Sequence, residues 1–261
     1  MRNQLEEDFS SDHLVGVSDS MQTVRSVVSR VAQTDATIMI SGYDGTGKGL
    51  VARLLHANSR RSAQPFMRIN CAAFPEALLE SELFGHEAQQ RPGLLESASG
   101  GTIFLEEISE TSTELQGKLL RVLQDRMLRR VGGETEVPID VRWIFASVLD
   151  PEHVIRDGRL REDFLSRIDA VSLTLPPLRK RREDIPLLAE HFLRQYAREY
   201  DRGDLRFSPE AIGVLLEYDW GGNVPELQMV LERAVSLSSP GQQITPAELP
   251  GGLQWRTGAR M

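Results

Sequence analysis

One short segment holds the residue types needed to bind phosphate. Its members are Gly42, Tyr43, Asp44, Gly45, Thr46, Gly47, Lys48, Gly49 and Leu50. Glycines let successive backbone N–H groups turn toward one centre, and a lysine adds a positive charge that reaches terminal phosphates. A glycine turn ahead of a core helix is the alternative, but such a turn does not need Gly-Thr-Gly-Lys after an apolar stretch. We therefore expect this loop to hold the phosphates of ATP.

Two acids at the end of an apolar stretch are the candidates for the chemistry. The stretch Thr102 to Leu105 is followed directly by Glu106 and Glu107. In a parallel sheet both would lie at the carboxyl end of a strand, beside the phosphate loop. One acid can hold the shell of Mg²⁺ while its neighbour orients the attacking water, although paired acids at a strand end are also common on surfaces.

The residue after Lys48 departs from the general pattern for such loops. A serine or threonine hydroxyl usually binds magnesium at this position, and this chain has Gly49. We expect magnesium to be held mainly by the nucleotide, by water and by a carboxylate, with Glu106 as the candidate metal ligand.

The elements that must position these residues follow an α/β pattern. Short stretches rich in apolar or β-branched residues alternate with helical patterns such as Met21 to Thr34 and Glu114 to Met127. The stretches are Thr37 to Ser41, Pro65 to Ile69, Thr102 to Leu105, Val141 to Ala146 and Ala170 to Leu175. This alternation predicts a parallel sheet covered by helices on both faces.

After Pro176 and Pro177 the spacing becomes helical, and no further strand is predicted. Ser208 is predicted to cap one helix, and Thr245 with Glu248 to form a capping box. We expect a linker over 1–12, an α/β nucleotide-binding subdomain over 13–175, a helical lid over 176–255 and a tail over 256–261.

Composition narrows the class of protein. The chain has 261 residues, 40% of them hydrophobic, a formal net charge of -8 and one cysteine, Cys71, which we expect to be a small buried apolar residue. A single cysteine excludes an internal disulfide and a cysteine-based zinc cluster. The negative net charge is unlike the basic surface of a domain that binds DNA by itself. No apolar run approaches the roughly 20 residues that span a bilayer, and the acidic start is unlike a signal peptide, so we expect a cytoplasmic protein. The basic cluster at 179–182 precedes Glu183 and Asp184, which indicates a solvated helix entrance.

Long stretches resemble the AAA+ ATPase domain of bacterial enhancer-binding proteins, the activators of sigma-54 RNA polymerase. The matching segments are HLVGVSDSM, RINCAAFPEALLESELFGHE, GGTIFLEEISE, LQGKLLRVLQDRMLRRVGG, GRLREDFLSRID, PPLRKRREDIPLLAEHFL and WGGNVPELQMVLERAV.

The resemblance implies a homo-oligomeric ring, usually a hexamer, with ATP bound between neighbouring subunits. It assigns Arg161 and Arg167 to the neighbour's site, where a planar cation can stabilise charge on the transferring phosphoryl group. It also assigns Asn70 to a switch that holds the catalytic acid, here Glu107. Family members contact the sigma factor of RNA polymerase and bind DNA through a helix-turn-helix domain that these residues do not include, so the chain resembles an excised central domain.

The chain departs from the family at several positions. The GAFTGA loop that contacts the sigma factor is missing between His86 and Arg91. Four single positions also differ: Glu106 replaces an aspartate, Gly49 a glutamate, Ser147-Val148 a threonine-asparagine pair and Pro225 a lid arginine. The longer Glu106 disturbs an octahedral magnesium shell. Together the departures predict slow or absent hydrolysis and no conventional remodelling of sigma-54.

Two functions stay open at this point. The first is an ATP-binding module of a transcription regulator with weak or absent hydrolysis, in which nucleotide sets conformation or assembly. The second is a non-enzymatic scaffold that senses a nucleotide or cyclic di-GMP, since the segment around the phosphate loop is similar to flagellar and biofilm master regulators and Arg53 could contact such a ligand. A loading factor unrelated to transcription ranks behind both, because it would not need the LFGHE or GNVPEL segments.

Overall fold

A computed structural model of the chain describes residues 14–148 and 155–251. Within these residues the chain forms two compact units. The sheet unit contains Val24–Gly42 and the described part of Lys48–Leu175. The helical unit contains Leu14–Thr23, Tyr43–Gly47 and the described residues from Pro176 onward. The predicted linker over 1–12 and tail over 256–261 lie outside the described residues.

The sheet unit contains nine strands, counted over its described residues, and its helices connect them. The strands are β1 (Ile38–Ser41), β2 (Phe66–Asn70), β3 (Gly85–His86), β4 (Arg91–Pro92), β5 (Thr102–Glu106), β6 (Met127–Arg129), β7 (Glu136–Pro138), β8 (Arg142–Ser147) and β9 (Val171–Thr174). The helices are α1 (Asp19–Val31), which starts in the helical unit, α2 (Lys48–Ala57), α3 (Glu76–Phe84), α4 (Leu94–Ser97), α5 (Thr113–Asp125) and α6 (Glu162–Ile168).

The main sheet has five parallel strands in the order β2-β5-β8-β1-β9. These are the five strands predicted from the apolar stretches, and each observed end lies within one residue of the predicted one. Every residue of β1, β5 and β8 is buried, as expected for central strands covered on both faces. The predicted α/β fold class is therefore confirmed.

The carboxyl ends of four strands bring the candidate residues to one edge of the sheet. In the register of the ladder, Asn70 at the end of β2 lies opposite Glu106 at the end of β5. Ser41 at the end of β1 lies opposite Ser147 at the end of β8. Parallel strands carry their functional side chains at this edge because the connecting loops there are free to vary.

The helical unit is built from three helices, among the residues described. They are α7 (Ile185–Glu199), α8 (Pro209–Glu217) and α9 (Asn223–Leu237). Their apolar faces pack around the fully buried Trp220 and Leu231. The predicted cap of α8 is confirmed, because the Ser208 hydroxyl accepts a hydrogen bond from the Ala211 N–H at 3.1 Å.

Two predictions for the helical unit are wrong. Short strands do occur there: β10 (Arg206–Phe207) and β11 (Gln243–Ile244) form a two-stranded parallel pair. Strands of two residues are too short to show an alternating pattern in the sequence. The carboxylate of Glu248 does accept a hydrogen bond from the Thr245 N–H at 2.7 Å, but the residues after Thr245 form a turn rather than a helix.

The basic cluster at 179–182 is only partly solvated, which corrects the sequence interpretation. Lys180 and Arg182 are exposed, but Arg181 and Asp184 are buried, with 3% and 0% of their surface exposed. Burial of the Arg181 guanidinium lowers its pKa, and the nearby charge of Asp184 partly offsets this. The two buried charges hold distant segments of the helical unit, and sequence adjacency alone could not indicate those partners.

Two further features of the described residues bear on the sequence predictions. Cys71 is buried, with 2% of its surface exposed, as expected. No helix among the residues described is both long and apolar enough to cross a membrane.

Candidate functional site

The phosphate loop leaves β1 after Ser41 and enters α2 at Lys48. Gly45 and Gly47 have φ angles of +73° and +109°, in the region that residues with a side chain rarely adopt. A Cβ on Gly45 would also lie 2.6 Å from Cδ of Pro225, a residue of the same helical unit. Glycine is therefore required at Gly45 both by backbone conformation and by close packing.

Lys48 is held at the start of α2 by two groups of the sheet unit. Its Nζ donates a hydrogen bond to the carbonyl oxygen of Gly42 at 2.8 Å and lies 3.3 Å from Oε1 of Glu107. Only 7% of the Lys48 side chain is exposed. The N-terminus of a ten-residue helix carries a partial positive charge, and the ammonium group adds a full charge at the same end. This end of α2 is suited to an anion.

Glu107 follows β5 in a left-handed backbone conformation, with φ 53° and ψ 48°. Such a conformation costs a residue with a side chain about 1–3 kcal/mol, and it is found most often at functional sites. The strain directs the carboxylate between two groups: Oε1 pairs with Lys48, and Oε2 accepts a hydrogen bond from the Val148 N–H at 3.3 Å. The carboxylate is 15% exposed and therefore lies close to solvent at the edge of the sheet.

Glu106 forms an ion pair with a residue that sequence analysis did not single out. Arg68, on β2, donates from both Nε and a terminal nitrogen to Oε2 of Glu106, each at 2.8 Å. Glu106 is buried, with 6% of its surface exposed, whereas half of the Arg68 side chain is exposed. A Cβ on Gly49 would lie 3.4 Å from Oε1 of Glu106. The glutamate thus lies between a guanidinium and the first turn of α2.

The donors at this edge of the sheet do not fit a magnesium ion held by protein side chains. Gly49 offers no oxygen, and Oε2 of Glu106 is engaged by Arg68. Over the described parts of the chain, no three His, Cys, Asp or Glu side chains come together as a metal site would need. Magnesium prefers octahedral oxygen ligands, so Glu106 as its ligand stays a prediction that requires Arg68 to move.

Asn70 lies at the same edge but has a structural contact. Its side-chain oxygen accepts a hydrogen bond from the Ala72 N–H at 2.9 Å and caps the short 3₁₀ helix Cys71–Ala73. Its role as a switch that holds Glu107 stays a prediction.

The two arginines assigned to a neighbouring subunit lie at the ends of α6. Arg161 makes a two-pronged ion pair with Asp163, from Nε at 2.9 Å and from a terminal nitrogen at 2.7 Å. This pairing lowers the pKa of the Asp163 carboxyl. Arg167 donates a long hydrogen bond of 3.4 Å to the carbonyl of Leu123. Both are exposed, so the guanidinium groups are accessible to a partner.

Within the helical unit, two residues hold the backbone of the loop segment Tyr43–Gly47. The amide nitrogen of Asn223 donates to the Asp44 carbonyl at 2.7 Å, and its oxygen accepts from the Leu178 N–H at 2.9 Å. Arg181 donates to the Thr46 carbonyl at 3.1 Å. Sequence analysis gave neither residue a role, although the GNVPEL segment that contains Asn223 was visible as a motif.

Pro225 and Val148 occupy the two positions where the resemblance led us to expect polar or charged side chains. Pro225 lies in the first turn of α9, where its missing N–H leaves no backbone hydrogen bond unmade. Val148 contributes its backbone N–H to Glu107, and its side chain carries no polar atom. Neither side chain can contact phosphate through a hydrogen bond.

A short hairpin spans the place of the missing GAFTGA loop. The strands β3 and β4 pair antiparallel, with His86 opposite Arg91 and a tight turn between them. The Glu87 N–H donates to the Val131 carbonyl at 3.0 Å, and the Val131 N–H donates to the Gly85 carbonyl at 3.1 Å. The hairpin is therefore held against the chain that follows β6, and it projects no long loop.

With this geometry established, sequence comparison decides the family. Residues 14–174 match the family described as the sigma-54 interaction domain. The chain belongs to the sigma-54 interaction domain family. Residues 179–260 match a second family, the AAA+ ATPase lid domain, in agreement with the helical unit.

The similar proteins of this sigma-54 interaction domain include bacterial regulators and a solved structure. The transcriptional regulatory protein ZraR of Salmonella typhimurium is 46% identical over 91% of this chain and 55% of its own length. The regulatory protein AtoC of Escherichia coli is 45% identical over 91% of this chain and 53% of its own length. NtrX from Brucella abortus, crystallised in complex with ATP, superposes with a TM-score of 0.87 at 39% identity, over 93% of this chain and 55% of that one. The chain spans about half the length of the relatives it matches.

In this sigma-54 interaction domain the predicted charged residues are found in two places. Lys48, Glu106 and Glu107 come together at the carboxyl edge of the sheet. Arg161 and Arg167 lie apart from them along the chain, the first just before α6 and the second in its last turn. Sequence reasoning missed Arg68, and the only available signal was its position on the strand that ends at Asn70, next to the strand that carries Glu106.

Proposed function

We propose that this chain is an ATP-binding AAA+ domain of a bacterial transcription regulator, in which nucleotide controls conformation or assembly and hydrolysis is weak or absent. The observation that carries the proposal is the anchoring of Lys48, whose ammonium group is fixed by the Gly42 carbonyl at 2.8 Å at the start of α2. NtrX from Brucella abortus has been crystallised with ATP and with ADP, which supports nucleotide as the ligand class.

Phosphate binding follows from the charges and the backbone of the loop. Lysine is a compact point charge suited to terminal phosphates, and the N–H groups in the first turn of α2 point toward the same end of the helix. Gly45 and Gly47, with their positive φ angles, let the backbone curl ahead of Lys48.

Weak hydrolysis follows from the groups that flank the loop. The carboxylate expected to orient water, Glu107, has one oxygen paired with Lys48 and the other with the Val148 N–H. Glu106 is paired with Arg68, and Pro225 brings no cation to the loop segment that it packs against. Phosphoryl transfer depends on accurately positioned charges, so these pairings and the loss of a cation at Pro225 reduce the rate of hydrolysis more than the affinity for ATP.

Assembly and partners belong to the same proposal. Arg161 and Arg167 are exposed and would meet a neighbouring copy in a ring, usually a hexamer in this family. The sigma factor and DNA would be contacted by the longer regulator. The short β3–β4 hairpin argues against conventional remodelling of sigma-54. Mass photometry with and without ATP tests assembly: a nucleotide-dependent increase that R161A/R167A abolishes supports a ring, and an unchanged monomer mass contradicts it.

The sensing scaffold stays a prediction with its own test. Calorimetry with cyclic di-GMP should give heat that is lost in an Arg53→Ala variant if that alternative holds. A flat titration with the wild-type protein would remove it.

Binding of ATP is tested with one variant and a matched control. Lys48→Ala removes the buried ammonium group, whereas Lys118→Ala removes an ammonium group paired with Glu80 and Glu114 on α5. We expect K48A to weaken ATP binding at least about tenfold, because it removes a hydrogen bond between charged groups. K118A should leave the affinity for ATP unchanged. Equal affinities of K48A and the wild type in calorimetry would refute the proposed site.

A further inference from the structure

Arg68 and Glu106 form an ion pair beside the first turn of α2. Two nitrogens of the guanidinium converge on one carboxylate oxygen at 2.8 Å each. The carboxylate is nearly inaccessible, with 6% of the residue exposed, so it depends on this partner for charge compensation. The guanidinium is half exposed and keeps contact with solvent.

Gly49, in the first turn of α2, lies directly next to the ion pair. A Cβ at Gly49 would meet Oε1 of Glu106 at 3.4 Å and the guanidinium of Arg68 at 3.7 Å. A longer side chain at this position would have to displace one of the two. The absence of a side chain at Gly49 lets the paired carboxylate lie against the first turn of α2, one residue from Lys48.

The ion pair changes the net charge near the bound ATP. An unpaired carboxylate at this position would repel the phosphates, and a divalent cation bound to the nucleotide would have to screen that repulsion. With Arg68 in place the carboxylate is already neutralised by the protein. The same guanidinium occupies the oxygen through which Glu106 would contact a cation.

We propose that Arg68 is a built-in counter-ion for Glu106, and that it makes nucleotide binding to this chain largely independent of Mg²⁺. The inference rests on the proposed function, since it concerns the ATP bound by the same loop. Arg68 acts through Glu106 and is therefore a positioning residue that sets the cation requirement of the site.

The test measures ATP affinity twice for each protein, in excess Mg²⁺ and in EDTA, by calorimetry on the full chain. For the wild type we expect the two dissociation constants to agree within about threefold. For Arg68→Ala we expect affinity in EDTA to fall about tenfold while magnesium restores it, because the bare carboxylate then repels unscreened phosphates. Arg91→Ala is the matched control, since Arg91 is also a half-exposed arginine paired with a glutamate, Glu82, at 2.9 Å.

A second variant separates charge compensation from a merely structural role. R68A/E106Q removes both charges and should return the ratio of the two dissociation constants to the wild-type value, whereas loss of packing at Arg68 would not be rescued. If the wild type and R68A bind ATP with the same magnesium dependence, the inference is overturned and the proposed function stands. If the wild type binds ATP in neither buffer, the proposed function fails and the inference fails with it.

Discussion

The Asp184 carboxylate fastens the first described residues to the helical unit, and its removal should destabilise that unit strongly. Oδ1 accepts hydrogen bonds from the N–H groups of Val17 at 2.6 Å and Ser18 at 2.8 Å, and Oδ2 accepts from the Ser18 hydroxyl at 2.7 Å. Asp184 is fully buried, and a Cβ on Gly16 would lie only 2.9 Å from Oδ2. The Asp184 carboxylate therefore packs directly against the backbone of Gly16.

The magnitude follows from the number and kind of these contacts. A hydrogen bond to a charged group contributes about 1.5–3 kcal/mol, and the three share one acceptor group, so their contributions are not additive. We expect Asp184→Ala to lower the free energy of unfolding of the helical unit by about 3–5 kcal/mol, because buried donors lose their acceptor. Asp184→Asn keeps one oxygen for the two backbone donors and should cost about 1–2 kcal/mol.

The assay is urea unfolding followed by the fluorescence of Trp220, which is fully buried in the helical unit. Trp143→Phe and Trp255→Phe in all proteins leave Trp220 as the only tryptophan of the three in the sequence. Asp204→Ala is the matched control, since Asp204 is 79% exposed and pairs with Arg206 on the surface. A loss below about 1 kcal/mol for D184A, or an equal loss for D204A, would refute the reasoning.

Two further predictions concern buried groups of the sheet unit. The Arg142 guanidinium donates hydrogen bonds of 2.8–3.1 Å to three backbone carbonyls near the ends of α1 and α2. Arg142→Met removes this donor and should lower the free energy of unfolding by about 2–4 kcal/mol. An unchanged urea midpoint would contradict this. Burial and the nearby charge of Arg142 lower the pKa of His56 from its usual 6.5. As the pH drops through about 6.5, the unfolded chain therefore binds the proton before the folded chain does, and the free energy of unfolding falls. His56→Gln should flatten that slope between about pH 8 and pH 5, and identical slopes in the two proteins would rule the explanation out.

The main sheet and the phosphate loop could be predicted because their signals are local. The apolar run before Ser41 and the one before Glu106 are short, uninterrupted and followed by polar residues, which is typical of central parallel strands. The glycines that precede Lys48 serve a backbone need that no other residue type meets. Each of these features depends on residues only a few positions apart.

The partners of buried charges could not be predicted from the sequence. Asp184 meets residues 166 and 167 positions away, and Arg68 meets Glu106 across 38 positions, so neither contact leaves a local pattern. A run of basic residues followed by acids is typical of a solvated surface, yet the fold buries Arg181 and Asp184 while it exposes their neighbours. The two-residue strands were missed for a different reason, since two residues cannot show a period.

The hairpin that stands in place of the missing loop also could not be predicted from the sequence. The shortened segment between His86 and Arg91 indicated only that a loop had been trimmed. That the remaining strands would pair, and that Val131 would bind the turn through two backbone hydrogen bonds, depends on a contact across more than forty positions.

The loop ending at Lys48 is proposed to bind ATP, while the altered groups around it are proposed to keep turnover slow. A single experiment tests both parts: ATP is titrated into the full chain and phosphate release is followed at each concentration alongside calorimetric binding. We expect saturable binding with release slower than about 1 per second, below the usual range for enzymes. Absence of binding, or saturating turnover well above that rate, would contradict the account.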